Sequence, residues 1–119
     1  MKILAVANRD TVRTELSREL SALFPEAEII EEADALMAGK YAFIHPVDLV
    51  FAEAEMKRMN GPQLIRFIRQ ECPAAKGFLI GTEQALSACL PTDPEEVAGS
   101  LIYPFTEKAI RDAVEGSRK

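Results

Sequence analysis

The run Leu49-Val50-Phe51-Ala52, closed by Glu53, constrains this chain most. It has no polar alternation, so it reads as a strand covered on both faces. A polar loop follows, and Gly61-Pro62 then opens a helix, with Pro in the first turn where its missing N–H does no harm. A strand buried on both faces belongs to a parallel sheet between helical layers. In such open sheets, ligands and chemistry gather at the carboxyl ends of the strands. Glu53 therefore marks the place where a functional site is expected.

The rest of the chain repeats the pattern. Lys2 to Val6 reads as a first buried strand. Ala7-Asn8-Arg9-Asp10 makes a turn, with Asp10 or Asn8 available to cap a helix. That helix carries Val12, Leu16, Leu20, Leu23 and Phe24 on one face and ends at Pro25. Ala27 to Ile30 is a shorter second strand. Ala33 to Tyr41 forms a modest helix through Ala33, Leu36, Met37 and Lys40, weakened at Gly39. His45-Pro46 is a loop, with the His solvated. The third strand covers Asp48 to Ala52. The next helix turns Leu64, Ile65, Phe67, Ile68 and Cys72 inward and stops at Pro73. Gly77 to Gly81 is the fourth strand. Glu83 to Leu90 is helical until Pro91 and Pro94 break it, leaving 91–96 as a loop or single turn. Ser100 to Ile102 is the fifth strand. Thr106 caps a last helix with Ala109, Ile110, Ala113 and Val114 inward, and residues 116–119 fray. Met37, Met56 and Met59 are assigned to core and loop packing, and Lys57-Arg58 to a solvated loop.

Strands alternating with helices predict an α/β fold with right-handed crossovers and helices on both faces of a parallel sheet. The 119 residues make one domain, 1–119, with enough core to fold alone. A net charge of −5 argues against this domain gripping nucleic acid, which needs clustered Lys and Arg. No apolar run is long enough for a membrane span, and no leader is evident. Cys72 and Cys89 are too far apart for a CxxC motif, and a single His leaves no zinc-ligand set. Reduced thiols in a cytoplasmic protein are the expectation. Ala7-Asn8-Arg9-Asp10-Thr11 contains no glycine, so a phosphate-cradling loop is missing there. A flavodoxin-like cofactor protein is thus a weak alternative, and no cofactor is expected.

Several matches in order give the chain a family resemblance. Ile3 to Val6, then Arg13; Asp48 to Glu53, then Met56, Met59, Asn60 and Gly61; Leu64, Ile65, Ile68, Arg69 and Pro73; Thr82; and Tyr103-Pro104-Phe105 together resemble the receiver domain of two-component response regulators. The resemblance implies a flavodoxin-like (CheY-like) three-layer fold with five parallel strands in the order 2-1-3-4-5. It also implies a cis bond before Pro104, a role in phosphorelay signalling and protein partners. Those partners include a second copy or an output domain, fused or missing, in which case this is the N-terminal part of a longer regulator.

The departures fall on the chemistry that the resemblance implies. Glu53 stands where the family has its phosphoacceptor Asp. Ala7 and Asn8 stand where it has the acids that hold Mg²⁺. Tyr103 replaces its Lys, Ser100 its aromatic switch residue, and only the hydroxyl of Thr82 remains. Mg²⁺ wants carboxylate oxygens, and phosphoryl transfer depends on neutralising charge. Each missing electrostatic group typically removes ~3–4 kcal/mol of transition-state stabilisation. No metal site is expected, nor any cation beside the acid, and phosphorylation is expected to be very slow or absent. Glu53 then either stands in for a phosphorylated state, with too little charge for a full mimic, or is held by hydrogen bonds from Thr82, Asn8, Tyr103 or water. The second, plainer reading is preferred. Two further readings are a receiver still phosphorylated on Glu53 and the receiver half of a DNA-binding transcriptional regulator.

Overall fold

Among the residues that the computed structural model describes, 1–89 and 96–117, five strands alternate with five helices. They are β1 Lys2–Val6, α1 Asp10–Leu23, β2 Glu28–Glu32, α2 Ala35–Ile44 and β3 Leu49–Glu53. Then come α3 Gly61–Glu71, β4 Lys76–Gly81, α4 Glu83–Ala88, β5 Gly99–Ile102 and α5 Glu107–Gly116. The strands form one sheet in the order β2-β1-β3-β4-β5, every pair parallel. The expected flavodoxin-like, CheY-like architecture is what the chain adopts. The expected break at Pro91 and Pro94 and the frayed Arg118 and Lys119 lie outside the described residues.

β3 is central, and every one of its residues is buried. Its alternate side chains feed two cores. On one face Leu49 and Phe51 join Ile3, Phe78, Leu16 and Leu20 of α1 and Ile110 and Val114 of α5. Phe51 stacks on Phe78 at 4.9 Å between ring centroids. On the other face Val50 and Ala52 meet Leu4, Val6, the alanines of α2 and Leu64, Ile65 and Ile68 of α3. The two-sided burial read from Leu49 to Ala52 follows from this layering.

Local expectations fail in four places, each for a packing reason. β2 runs Glu28–Glu32 rather than starting at Ala27, because its register on β1 pairs Lys2 with Glu28 and Val6 with Glu32. The N-cap of α1 is Arg9, with no side-chain cap; Asn8 and Asp10 are engaged elsewhere. α2 starts two residues later than expected and turns the other way. Ala35, Ala38, Gly39 and Ala42 are buried, while Leu36, Met37 and Lys40 face out. Periodicity of large residues had chosen the wrong side, since only small residues fit between α2, the sheet and Phe67. A Cβ on Gly39 would come within 3.1 Å of that ring. Phe67 itself, expected inside, is 39% exposed at the α2–α3 seam. Met37 is likewise exposed, whereas Met56 and Met59 pack against the core as expected.

Candidate functional site at the carboxyl rim of the sheet

Three strand ends build the site. β1 delivers Ala7, Asn8 and Arg9; β3 delivers Glu53; β4 delivers Thr82. With Glu55, Gly81 and Ala85 they line a cleft of about 340 Å³. Glu53 is the last residue of β3 and is only 4% exposed. Gly61 makes that burial possible. A Cβ there would lie 2.7 Å from the Glu53 carbonyl oxygen and 2.6 Å from Leu79. Only glycine lets α3 begin directly against the strand end. The helix start is fixed by a capping box, in which the Asn60 side chain accepts from the Gln63 N–H and Gln63 accepts from the Asn60 N–H.

A buried carboxylate without partners would cost several kcal/mol. Glu53 has partners on both oxygens. Oε1 accepts from the Asn8 backbone N–H at 2.9 Å, and the Arg9 N–H approaches it at 3.5 Å. Oε2 accepts from the Arg9 Nε at 2.7 Å, in an ion pair whose arginine side chain is half exposed. The Arg9 guanidinium also lies over the Tyr103 ring, 5.7 Å from its centroid, within cation–π range. Arg9 thus bridges the carboxylate and the aromatic residue at the mouth of the site.

This corrects the expected absence of any cation. Sequence reasoning placed Arg9 in a turn and missed it as a partner. The available signal was position: Arg9 directly follows Asn8 in the loop that faces β3. It also corrects the expected partners of Glu53. Asn8 contributes its backbone N–H, not its side chain. The Asn8 amide instead ties two loops together, accepting from the Lys57 N–H at 2.8 Å and donating to the Ala33 carbonyl. The Thr82 hydroxyl accepts from the Ala85 N–H at 3.1 Å, capping α4. Tyr103 meets Arg9 rather than Glu53.

The remaining positions separate. Ala7 is fully buried in the α1–α5 core, and its carbonyl accepts from Arg13 Nη1 at 2.8 Å. Ser100 lies in a different cleft, of about 270 Å³ between α4 and β5, with Leu86 and Val97. Glu53, Asn8 and Thr82 therefore meet, and Ser100 does not join them. The Tyr103–Pro104 peptide is cis. His45 ends α2, exposed and tilted against Tyr41 at 4.7 Å.

The donor set does not fit a divalent cation. Ala7 has no side-chain oxygen, the Asn8 oxygen is used by Lys57, and both Glu53 oxygens are taken by N–H donors. No group of three His, Cys, Asp or Glu side chains gathers at metal-binding distance among the described residues. Hard cations need several free oxygens at once.

Neither a family profile nor a curated protein matches the sequence. Solved structures do match. The receiver domain of AraT, a response regulator from Geobacillus stearothermophilus, superposes with a TM-score of 0.83 at 20% identity, covering 98% of this chain and 92% of that one. The chemotaxis response regulator CheY4 of Vibrio cholerae gives 0.82 at 19% identity, over 98% and 97% of the two chains. The receiver domain of the hybrid histidine kinase CckA gives 0.75 at 23% identity, over the whole of both. Strand order, connection and the cleft at the carboxyl rim agree throughout, and the chain has the fold of the receiver domains of response regulators.

Proposed function

We propose that this is a receiver-type signalling domain that regulates a protein partner by docking, without a phosphorylation cycle and without catalysis of its own. The observation that supports it is the Arg9–Glu53 ion pair. A guanidinium occupies one oxygen of the acid at the phosphoacceptor position, and a backbone N–H occupies the other. To accept a phosphoryl group, Glu53 would have to leave Arg9 and aim its longer side chain in line with a donor. It would have to do so without the oxygen cage and the Lys that neutralise the transferred charge. The same pair counts against a phosphate mimic, since Arg9 already offsets the charge that would do the mimicking. With Ser100 in a separate cleft, the rim also lacks an aromatic relay to the β5 side.

The domain then works as a fixed surface in the cytoplasm, and any DNA-binding or catalytic output belongs to its partner. No helix among the described residues is long and apolar enough to cross a membrane. The test is to incubate the protein with acetyl phosphate and Mg²⁺ and read its intact mass. The expected result is no gain, with Glu53→Gln keeping partner binding. A gain of one phosphoryl group that Glu53→Gln abolishes would overturn the proposal.

A further inference from the structure

Helix α2, Ala-Leu-Met-Ala-Gly-Lys-Tyr-Ala-Phe-Ile, is apolar nearly all round. A helix of that kind belongs in an interior. Here only its small residues are inside. Leu36, Met37, Phe43 and Ile44 are 39%, 49%, 67% and 70% exposed, and Phe67 of α3 adds another 39%. The outer faces of α1 and α5 differ, carrying ion pairs such as Glu15–Arg18 and Glu107–Arg111. Between α2 and α3 these apolar side chains wall a groove of about 330 Å³ with Gly39 at its base. Contiguous apolar surface of this kind marks an interaction site.

Charge selects the occupant. Lys40 stands on the groove among Leu36, Phe43 and Ile44, and its ammonium makes no ion pair among the described residues. Residues 35–70 carry Lys40, Lys57, Arg58, Arg66 and Arg69 against Asp48, Glu53 and Glu55, a cationic surplus in a chain of net charge −5. A second copy docked by two-fold symmetry would bring two such cationic rims together and desolvate both lysines without a counter-ion. A carboxylate over Lys40 removes that penalty. The surface is a concave trough between two helices, shaped for a rod rather than a bilayer.

We propose that the α2–α3 groove binds an amphipathic helix of a partner protein, with apolar anchors at i, i+3 or i+4 and i+7 and acidic residues on the flank facing Lys40. This names the surface for the docking role above and rests on that reading. The probe is a labelled peptide of about 15 residues with Leu at those anchor positions and Glu on the flanks, set beside a copy with Lys replacing Glu. Fluorescence anisotropy on the full chain is expected to show saturable binding of the Glu peptide and much weaker binding of the Lys peptide. Lys40→Glu is expected to weaken the Glu peptide at least ~5-fold and to strengthen the Lys peptide. Phe43→Ser and Ile44→Ser are expected to weaken the Glu peptide ~10-fold or more. Their thermal midpoints are expected to hold, because both side chains are largely exposed. No saturable binding, equal binding of both peptides, or indifference to Lys40→Glu would overturn the proposal. So would self-association, or co-sedimentation with phosphatidylserine vesicles, if Ile44→Ser abolishes it. A phosphoryl mass gain alongside intact peptide binding would sink the phosphorylation-independent reading and leave the groove standing.

Discussion

The carboxyl rim and the α2–α3 face are opposites. At the rim the polar groups are partnered: Glu53 by Arg9 and Asn8, the Asn8 amide by Lys57 and Ala33, the Thr82 hydroxyl by Ala85. On the α2–α3 face large apolar groups are left in water around an unpaired lysine. Receiver architecture puts chemistry at the rim, yet here the rim is closed by its own side chains. The difference teaches that a site can be inherited in shape and satisfied internally. Unspent binding capacity then has to be sought where the surface is least satisfied.

The strongest blow to the rim comes from Gly61. Gly61→Ala would press a methyl group into the Glu53 carbonyl and Leu79. The backbone atom cannot give way without moving β3, so a loss of about 3 kcal/mol is expected. Urea denaturation measures it. An alanine that leaves the midpoint unchanged would mean that α3 does not need its close seat on the strand end, and that the rim is looser than its contacts imply.

Arg9 and Glu53 come next, and their asymmetry is the informative part. Glu53 is buried and Arg9 half exposed. Arg9→Ala leaves a buried carboxylate with the Asn8 N–H as its remaining close donor, and is expected to cost about 2 kcal/mol. Glu53→Gln leaves an arginine that water can solvate, and is expected to cost about 1 kcal/mol or less. A double-mutant cycle by chemical denaturation reads both. Equal effects, or a larger one for Glu53→Gln, would show that Arg9 does not carry the site.

Much of the fold was legible because its signals are strong and local. Short apolar runs between polar turns marked all five strands. Pro25, Pro62 and Pro73 marked helix boundaries within a residue or two. The site was legible as a set of positions, since sequence order alone brings Asn8, Glu53 and Thr82 to one rim in a 2-1-3-4-5 sheet. Partnership was not legible. Nothing in the sequence says that Arg9 reaches across to β3 while the Asn8 side chain turns to Ala33 and Lys57. The orientation of α2 was hidden for another reason. In a helix with apolar residues on every side, size decides which face fits inside, and periodicity of hydrophobicity carries no vote.

The smallest expected effect uses Cys89 to sense the rim from the α4 end. Burial, and secondarily the Glu55 carboxylate, push its thiol above the ordinary value of 9.0. The folded chain therefore holds that proton more tightly than the unfolded one. The resulting stability is fully present below the ordinary thiol range and declines as pH rises through it, because the unfolded chain ionises first. Alkylation of Cys89 by iodoacetamide, followed by mass spectrometry across pH, is expected to lag behind that of the urea-unfolded chain. Glu55→Gln removes the lesser of the two causes, so it is expected to recover only part of the lag. Full recovery would make Glu55 the main source of the shift and the rim more negative than a pocket balanced by Arg9. No recovery would mean that the Glu55 charge does not reach α4, leaving burial as the whole cause.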